Sequence, residues 1–576
     1  MTSDIPRIPD DVTIPQFIFG THPIRPKCPS SIPWLIDDDS GVSYTGEEAK
    51  KRALTLSSAL QTRFTLKSDD AVVLLTDNHI DYPICIWAVQ HFLGVVAPTN
   101  PAFTVSELTT HLGIIKPSLL IAQSENLPTV EKAAHNVGIP IDRIVTIDKN
   151  TKNYTTIAQL LEEGRSLASP QEIKLSPGEG KKRIAFLNAS SGTTGPPKVI
   201  QISHHSVIAN VLLTAVHNKI HLDYTSWDEQ RYRVGDSCLA ILPLYHIYGL
   251  DLVVSTQTSL SDELAGLNVF NSFRKLHFNI FAGVTVVVVP KFNFAKTLSS
   301  ISRYRITHLM IVPPQGVLLC KDPKAKNSDL TSLRVILCAS SALPRDLYDL
   351  LCQTFPTAHI GQAYGATEIT GVGSMCPITD KQNPYCGTLI PGVIGRVIRP
   401  DGSEALPGSG EEGELLIKTL SPASGYLGND DATRETFLED GWIRSGDIVK
   451  IDAAGNIDIV DRVKVKGYQV APAELEATII ENSLVDDVCV VGMPDMYSGE
   501  LPLAFVVPSQ LARSREGEGE KVKKDIMEHV AQNKSRFKHL ARVEFIEVVP
   551  RTPSGKLLRR DLRERAKKLV AASAKL

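Results

Sequence analysis

The sequence lacks the signatures of several protein classes. It holds nine cysteines in 576 residues, and none of them form a C-x-x-C pair or stand at the His/Cys spacing of a structural zinc site. A reduced intracellular compartment therefore suits the chain better than a disulfide scaffold. No apolar run approaches the roughly 20 residues of a membrane-spanning helix, and no internal repeat has the period of a solenoid.

A surplus of charge of either sign is missing as well. The chain has 61 Lys and Arg against 64 Asp and Glu, a net charge of −3, so nothing in its overall charge points to nucleic acid or an anionic membrane as a partner. The first residues, Met1–Pro6, are acidic and broken by proline, which is not typical of a signal peptide. Apolar residues make up 43%, which is ample for sizeable cores, and the length favours at least two domains.

Helical and strand patterns alternate after a proline-rich, irregular strap over residues 1–45. Ala71–Thr76 predicts a buried strand, Asp81–Phe92 a helix and Gly94–Ala97 a second strand. Thr104 and Glu107 then form the capping-box pattern of a further helix. This rhythm is typical of a layered α/β domain with a mostly parallel sheet.

The stretch Ala189–Lys198 concentrates four hydroxyls, two glycines and one lysine. Glycines let the backbone N–H groups approach a ligand, and the lysine adds a positive charge, which suits a polyphosphate. It is not a Walker A motif, because the lysine is followed by valine. Apolar flanks at Arg183–Leu187 and Val199–Ile202 predict that the loop joins two strands. On composition alone, an ordinary hairpin turn is the alternative.

Three later sites carry polar groups that suit a ligand. Pro243–Gly249 follows the strand Leu239–Leu242, where α/β proteins bind ligands, although packing alone would also explain its aromatic residues. In Gly361–Glu368, Gly365 allows a tight turn, and the last two residues offer a hydroxyl and a carboxylate that suit Mg²⁺. A surface turn is the alternative there. Asp447 is a candidate for the ribose hydroxyls, since one carboxylate accepts two of them.

These segments, together with Pro550–Lys556, resemble in order and spelling the motifs of the adenylate-forming enzymes. That superfamily includes acyl-CoA synthetases, 4-coumarate–CoA ligases, firefly luciferase and peptide-synthetase adenylation domains. The chain is most similar to the 4-coumarate–CoA ligase-like acyl-CoA synthetases, and the resemblance extends over roughly residues 45–565.

The resemblance implies an α/β fold in two parts. A large N-terminal domain over residues 1–462 would contain layered sheets with helices and a small β-barrel-like part. A smaller, mobile α+β domain over residues 463–576 would follow on a hinge and carry the catalytic lysine.

The resemblance also implies the roles of the motif residues. The catalytic residues would be Lys556, His246 and Thr367, and Glu368 would hold Mg²⁺. The residues implied to bind ATP and AMP are Ser190, Ser191, Gly192, Thr193, Thr194, Gly195, Lys198, Gln362, Ala363, Tyr364, Gly365, Thr367, Asp447, Arg462 and Lys556. The acyl group would meet His246, Tyr248 and Ser340, and CoA would meet Lys464, Lys466 and Gly467.

The implied activity is that of an ATP-dependent acid–thiol ligase using ATP, Mg²⁺ and CoA. The substrate would be a small carboxylic acid, either aryl or arylpropenoic or a medium-chain fatty acid. CoA is the expected thiol, because no carrier domain follows the small domain. The alternatives are an adenylating enzyme that loads a carrier-protein thiol, a luciferase-like oxidase, and a non-catalytic nucleotide-binding relative.

The chain departs from the family pattern in three places. It has extra residues around Val254–Lys275, which are either a loop insertion or an unspliced intron. Ser340 begins a segment in which serine replaces a family glycine, which would narrow the acyl pocket. The hinge Asp461–Gly467 is about four residues short, roughly 13 Å of extended chain at about 3.3 Å per residue, which predicts poor transfer to CoA.

The sequence ends in Ala574–Lys575–Leu576. This is a near match to the S-K-L signal that a peroxisomal import receptor reads. We therefore expect the peroxisome as the location, and the cytoplasm if the three residues are an ordinary basic tail.

Overall fold

The protein folds into two α/β sheets, a small antiparallel sheet and a C-terminal α+β unit. The computed structural model describes residues 5–149, 153–190, 198–222, 230–242, 244, 272–339, 343, 345–399, 401–461, 464–465, 468–470, 472–495, 499–515, 517–534, 536–550 and 559–573.

The first nine strands lie before residue 204. They are β1 Leu35–Asp37, β2 Ser43–Tyr44, β3 Ala71–Leu75, β4 Val95–Thr99, β5 Leu119–Ala122, β6 Ile144–Thr146, β7 Thr155–Thr156, β8 Ile184–Ser190 and β9 Lys198–Ser203. Strands β3 to β9 form one sheet in the order β9-β8-β4-β3-β5-β6-β7. Only β8 and β9 pair antiparallel within this run.

A second large sheet contains the next seven strands together with β1 and β2. These strands are β10 Ser237–Ala240, β11 Thr285–Val288, β12 His308–Ile311, β13 Val335–Ala339, β14 His359–Ala366, β15 Gly371–Met375 and β16 Thr388–Leu389. Its order is β16-β15-β14-β13-β12-β10-β11-β1-β2. The pairs from β14 to β1 are parallel, so their carboxyl ends share one edge.

A small antiparallel sheet and one returning strand complete the N-terminal part. The strands are β17 Val393–Ile398, β18 Gly413–Thr419, β19 Gly425–Tyr426, β20 Ile443–Ile451 and β21 Ile457–Asp461. Four of them form the antiparallel sheet β17-β18-β20-β21, which is the small β part of the N-terminal domain. The fifth, β19, returns to the first large sheet and pairs with β9.

The C-terminal unit is a five-stranded sheet flanked by helices. Its strands are β22 Lys464–Val465, β23 Tyr468–Gln469, β24 Val485–Asp495, β25 Gly499–Pro508 and β26 Arg542–Phe545. Lys464 thus belongs by its backbone to this sheet, because β22 pairs with β25. Separate apolar clusters fill the two faces of the sheet.

Helices cover the large sheets. Those of the N-terminal part are α1 Ile14–Phe19, α2 Gly46–Phe64, α3 Tyr82–His91, α4 Val105–Ile115, α5 Leu127–Asn136, α6 Ile157–Gly164, α7 His204–His217, α8 Ser272–Phe281, α9 Phe294–Arg303, α10 Pro313–Lys321, α11 Pro323–Lys326, α12 Arg345–Thr354 and α13 Asp430–Thr436. Those of the C-terminal unit are α14 Pro472–Ile480, α15 Gln510–Arg513, α16 Gly519–Asn533 and α17 Arg559–Ser573. The helix α3, which is buried along nearly all of its length, lies in the main apolar core.

The capping box predicted at the start of α4 is present, and it has a second use. Thr104 Oγ1 accepts from the Glu107 backbone, and the Thr104 backbone donates to Glu107 Oε2 at 2.9 Å. The other carboxylate oxygen, Oε1, lies 3.1 Å from Lys538 Nζ of the C-terminal unit. The side chains of Lys538 and Glu107 are only 5% and 10% exposed, so this ion pair is a buried contact between the two parts of the chain.

The alternation of strands and helices predicted from the sequence is confirmed. The predicted elements at Ala71–Thr76, Asp81–Phe92 and Gly94–Ala97 correspond to β3, α3 and β4 within two residues at each end. The tight turn that Gly365 would allow does not form there, because Gly365 lies inside β14 at a bulge against β15. The turn falls instead on Thr367–Ile369, with Thr370 in the left-handed region at φ 57°. A bulge bends a strand without ending it.

Candidate active site

The hydroxyl- and glycine-rich loop is closed at its base by a strand pair. Ser190, the last residue of β8, is the antiparallel partner of Lys198, the first residue of β9. The loop therefore joins two strands, as its apolar flanks predict. Ser191, Gly192, Thr193, Thr194 and Gly195 lie outside the described residues, so their phosphate-binding role stays a prediction.

Lys198 lies against an aromatic ring from a distant part of the sequence. Its Nζ is 4.7 Å from the ring centroid of Tyr426. The contact follows from sheet pairing, because β19 runs antiparallel to β9 and sets Tyr426 opposite Ile200. No local sequence pattern relates Tyr426 to Lys198, so the sequence alone does not predict this contact.

The same tyrosine also contacts the predicted metal ligand. Tyr426 Oη donates to Glu368 Oε1 at 3.0 Å, and the Ala423 N–H donates to the Glu368 carbonyl at 2.9 Å. The pKa of the Tyr426 phenol is raised, mainly by burial and to a smaller extent by the neighbouring Glu368 carboxylate. The phenol therefore stays protonated and remains a donor at neutral pH.

The donor set around Glu368 fits a cation that shares its ligands with a substrate. Glu368 supplies one carboxylate, and the buried Thr367 beside it supplies a hydroxyl. Within the part of the chain that the structure describes, no three His, Cys, Asp or Glu side chains form a metal cluster. Mg²⁺ is commonly held by one or two carboxylates, with phosphate oxygens and water as its other ligands, so these residues suit it.

A second pair lies farther back on β14. Tyr364 Oη donates to Asp447 Oδ2 at 2.8 Å, and both side chains are buried. The Asp447 N–H in turn donates to Ser445 Oγ at 3.1 Å. The Tyr364 ring is 1% exposed, so the stacking on adenine that the resemblance implies stays a prediction. The structure adds a contact that orients the Asp447 carboxylate.

Gln362 bonds mainly to backbone. Its Oε1 accepts from the Leu343 N–H at 2.8 Å, and its Nε2 donates to the Pro384 carbonyl. These two bonds connect β14 to Leu343, which lies in the segment that begins at Ser340, and to Pro384. Ala363 and Gly365 lie in the same strand, where their backbones pair with β15.

Asn78, which the sequence analysis also missed, joins the two large sheets. Its Nδ2 lies within 3.1 Å of the carbonyls of Ala240, Leu242 and Val289, and its Oδ1 accepts from the Leu244 N–H at 2.6 Å. The side chain thus holds the ends of β10 and β11, where the chain enters Pro243–Gly249. A polar residue just after the buried strand β3 is the signal that could have identified it.

Several predicted site residues lie outside the described residues, so their roles stay predictions. They are His246, Tyr248, Ser340, Arg462, Lys466, Gly467 and Lys556. Of the CoA-binding candidates, Lys464 alone is described, in β22.

Comparisons with known proteins identify the family to which this fold belongs. The family model described as AMP-binding enzyme matches residues 26–259 and 269–427. The chain belongs to the AMP-binding enzymes. The model of the AMP-binding enzyme C-terminal domain matches residues 474–556. The first match leaves residues 260–268 unmatched, inside the segment predicted to be extra.

Two curated AMP-binding relatives match this chain over most of its length. 4-coumarate–CoA ligase 1 of Petroselinum crispum is 30% identical over 541 residues, which cover 92% of this chain and 90% of the relative. Peroxisomal OPC-8:0-CoA ligase 1 of Arabidopsis thaliana is 30% identical over 536 residues, which cover 92% and 89%. The likeness therefore extends through both parts of the chain.

A solved structure supports the fold. An amide bond synthetase of Marinactinospora thermotolerans superimposes with a TM-score of 0.74 over 96% of this chain and 99% of its own, at 20% identity. This likeness concerns the adenylate-forming fold alone. None of the helices in the described ranges is both long and apolar enough to cross a membrane.

Proposed function

We propose that this AMP-binding enzyme is an ATP-dependent acid–CoA ligase. The observation that carries the proposal is the match of 92% of the chain to relatives that are named CoA ligases. The match includes the C-terminal domain, so the reaction would use both parts of the chain.

The reaction has two steps. First, a carboxylate oxygen of the acid bonds to the α-phosphorus of ATP, the bond to the β-phosphate oxygen breaks, and pyrophosphate leaves. Second, the CoA sulfur bonds to the acyl carbon and AMP leaves with the electron pair, while the thiol proton passes to solvent. There is little covalent work for the protein, which must align the groups and stabilise charge.

The described residues divide this work. Lys198, at the mouth of the loop, would hold the phosphates, and Glu368 would hold Mg²⁺, which when bound neutralises charge on the phosphate oxygens. Thr367 would contact the α-phosphate. Asp447, oriented by Tyr364, would accept the ribose hydroxyls.

The remaining roles fall on residues outside the described ranges. Lys556 would stabilise the charge between the carboxylate and the α-phosphate. His246, Tyr248 and Ser340 would meet the acyl group, Arg462 the ribose, and Lys466 and Gly467 the CoA, together with Lys464. The boundary between the two domains would fall at residue 462.

Acid-dependent exchange of pyrophosphate into ATP tests the first step, and CoA-dependent release of AMP tests the second. Exchange without CoA-dependent release would favour a carrier-protein loader, and neither activity would favour a non-catalytic nucleotide-binding protein. A panel of arylpropenoic, benzoic and medium-chain fatty acids then identifies the substrate. The 4-coumarate–CoA ligase relatives favour arylpropenoic acids.

We further propose a peroxisomal location. Ala574–Lys575–Leu576 would be read by the peroxisomal import receptor, and one relative carries the word peroxisomal in its name.

A further inference from the structure

Tyr426 contacts two side chains of opposite charge that the proposed function places on the same ligand. Its ring lies 4.7 Å from Lys198 Nζ, and its hydroxyl lies 3.0 Å from Glu368 Oε1. The ring face is the electron-rich side that attracts a cation, and the hydroxyl is the donor that a carboxylate accepts. Each end of the tyrosine therefore suits the group it contacts.

The two charged groups contact Tyr426 but do not pair with each other within the described ranges. A direct pair would partly neutralise both groups before any ligand arrived. Because each group contacts Tyr426 and not the other, the ammonium and one carboxylate oxygen can face a polyphosphate and its cation.

The position of Tyr426 is held from several sides. Its ring packs edge-on against Phe437 at 5.7 Å between centroids, and its N–H donates to Thr433 Oγ1 at 3.0 Å. Gly425 stands at φ +125°, where a Cβ would lie 2.8 Å from Thr433 Cγ2. The strand therefore approaches α13 closely only because this residue is glycine. Tyr426 itself is 5% exposed.

We infer that Tyr426 is a positioning residue of the nucleotide site, which holds Lys198 and Glu368 near each other but unpaired, so that both can take a nucleoside triphosphate with its divalent cation. The inference rests on the proposed function for the identity of the ligand. Tyr426 acts through its two neighbours and is not assigned a contact with the nucleotide.

Two substitutions separate the two contacts. Tyr426→Phe removes the hydroxyl, and with it the hydrogen bond to Glu368 and the contact with Thr436, and keeps the ring beside Lys198. Tyr426→Leu removes the ring as well. Calorimetric titration of a non-hydrolysable ATP analogue, with and without Mg²⁺, measures binding without acid, CoA or turnover. The matched control is Tyr348→Phe, a buried tyrosine in α12 whose ring lies 5.3 Å from Arg345.

For Tyr426→Phe we expect the Mg²⁺-dependent gain in analogue affinity to fall about tenfold, the scale of a hydrogen bond to a charged group, while metal-free binding is unchanged. For Tyr426→Leu, metal-free binding should fall as well, by about three- to tenfold. Tyr348→Phe should change neither. Tyr426→Phe keeps the volume of the ring, so the main test holds even if the leucine variant does not fold.

If Tyr426 has only a structural role, Tyr426→Phe will have a lower melting temperature but an unchanged Mg²⁺-dependent gain in affinity for the analogue. That result would overturn the inference. An equal loss with and without Mg²⁺ would also overturn it. If the unaltered chain binds the analogue but shows no acid-dependent pyrophosphate exchange, the proposed ligase function is wrong, while the role of Tyr426 is judged on the binding data alone.

Discussion

The hydroxyl of Tyr364 donates a hydrogen bond of 2.8 Å to Oδ2 of Asp447, and both side chains are buried. The bond joins β14 of the second large sheet to β20 of the small antiparallel sheet. It fixes the orientation of the carboxylate that we assign to the ribose.

Replacing Tyr364 by Phe tests this contact. The ring remains, and one hydrogen bond to a charged acceptor is lost, worth about 1.5–3 kcal/mol. We expect the apparent KM for ATP to rise about tenfold or more, with a smaller change in the KM for the acid. The control is Tyr154→Phe, which removes a hydroxyl bonded to Glu131 far along the chain from the site residues. An unchanged KM for ATP would show that Tyr364 does not position Asp447.

Lys556 should matter for one half-reaction. Lys556→Ala removes a charge that we place between the carboxylate and the α-phosphate, so adenylate formation should slow on the order of 100-fold or more. Thiolysis of a preformed acyl adenylate should barely change. Single-turnover assays of each step measure the two effects, and equal losses in both would contradict the assignment.

The short hinge gives a prediction in the opposite direction. Hinges act through a few residues that absorb large φ/ψ changes, and the resemblance to the family predicts that this one is about four residues short. Inserting Glu-Leu-Ile-Lys after Lys464 should therefore speed thiolysis more than adenylation in single-turnover assays. If the unmodified chain already runs both steps at similar rates, the shorter hinge has no kinetic cost.

Buried histidines should make the fold sensitive to mild acid. Burial lowers the pKa of His111 from 6.5 to about 4, where its Nε2 lies 3.1 Å from Thr99 Oγ1. The unfolded chain binds this proton at a higher pH than the folded chain, so the contribution to stability is complete above about pH 6.5 and is lost as the pH falls towards 4. The loss is about 1.4 kcal/mol per pH unit.

Urea unfolding at pH 7, 6 and 5 measures this loss. His111→Gln should be less stable at pH 7 and should show a shallower loss of stability towards pH 5. His135→Gln, at an exposed position of α5, is the control for the substitution itself. Asp77, whose pKa burial raises to about 6, acts in the opposite direction, but its contribution cancels between variants. Parallel pH profiles for the His111 variant and the unaltered chain would contradict the assignment.

The C-terminal tripeptide is tested in cells. A fluorescent fusion ending in Ala574–Lys575–Leu576 should give puncta that coincide with a peroxisomal marker, and deleting the three residues should make the signal diffuse. A diffuse signal from the intact fusion would remove the proposal.

Local sequence features predicted the parts of the fold that local physics decides. The wholly apolar run of β3 and the Thr104–Glu107 capping box each carry their own signal within a few residues. The helix α1 was missed inside the proline-rich strap, because it has only six residues, with Pro15 in its first turn.

The parts of the site that the sequence analysis missed depend on long-range pairing. Tyr426 contacts Lys198 because β19 pairs with β9 of the first large sheet. Asn78 donates to the carbonyls of Ala240 and Val289, which lie more than a hundred residues away in the sequence. Periodicity and spacing report on neighbours in sequence, so they cannot predict such contacts. The absence of a turn at Gly365 has a related cause, since the pairing of β14 with β15 overrides what a glycine permits locally.

The two oxygens of Glu107 serve different partners, one within α4 and one in the C-terminal unit. A glutamate that joins an ion pair normally gives up rotamer freedom, on the order of 1.5–2 kcal/mol. The capping box already holds the Glu107 side chain whether or not Lys538 is bound to it. The loss of Glu107 rotamer freedom therefore belongs to the folding of α4 and not to the contact between the two parts of the chain. Lys538 alone then loses side-chain freedom when the ion pair forms, so the side-chain entropy cost of the contact is roughly half of what ordering two free partners would require.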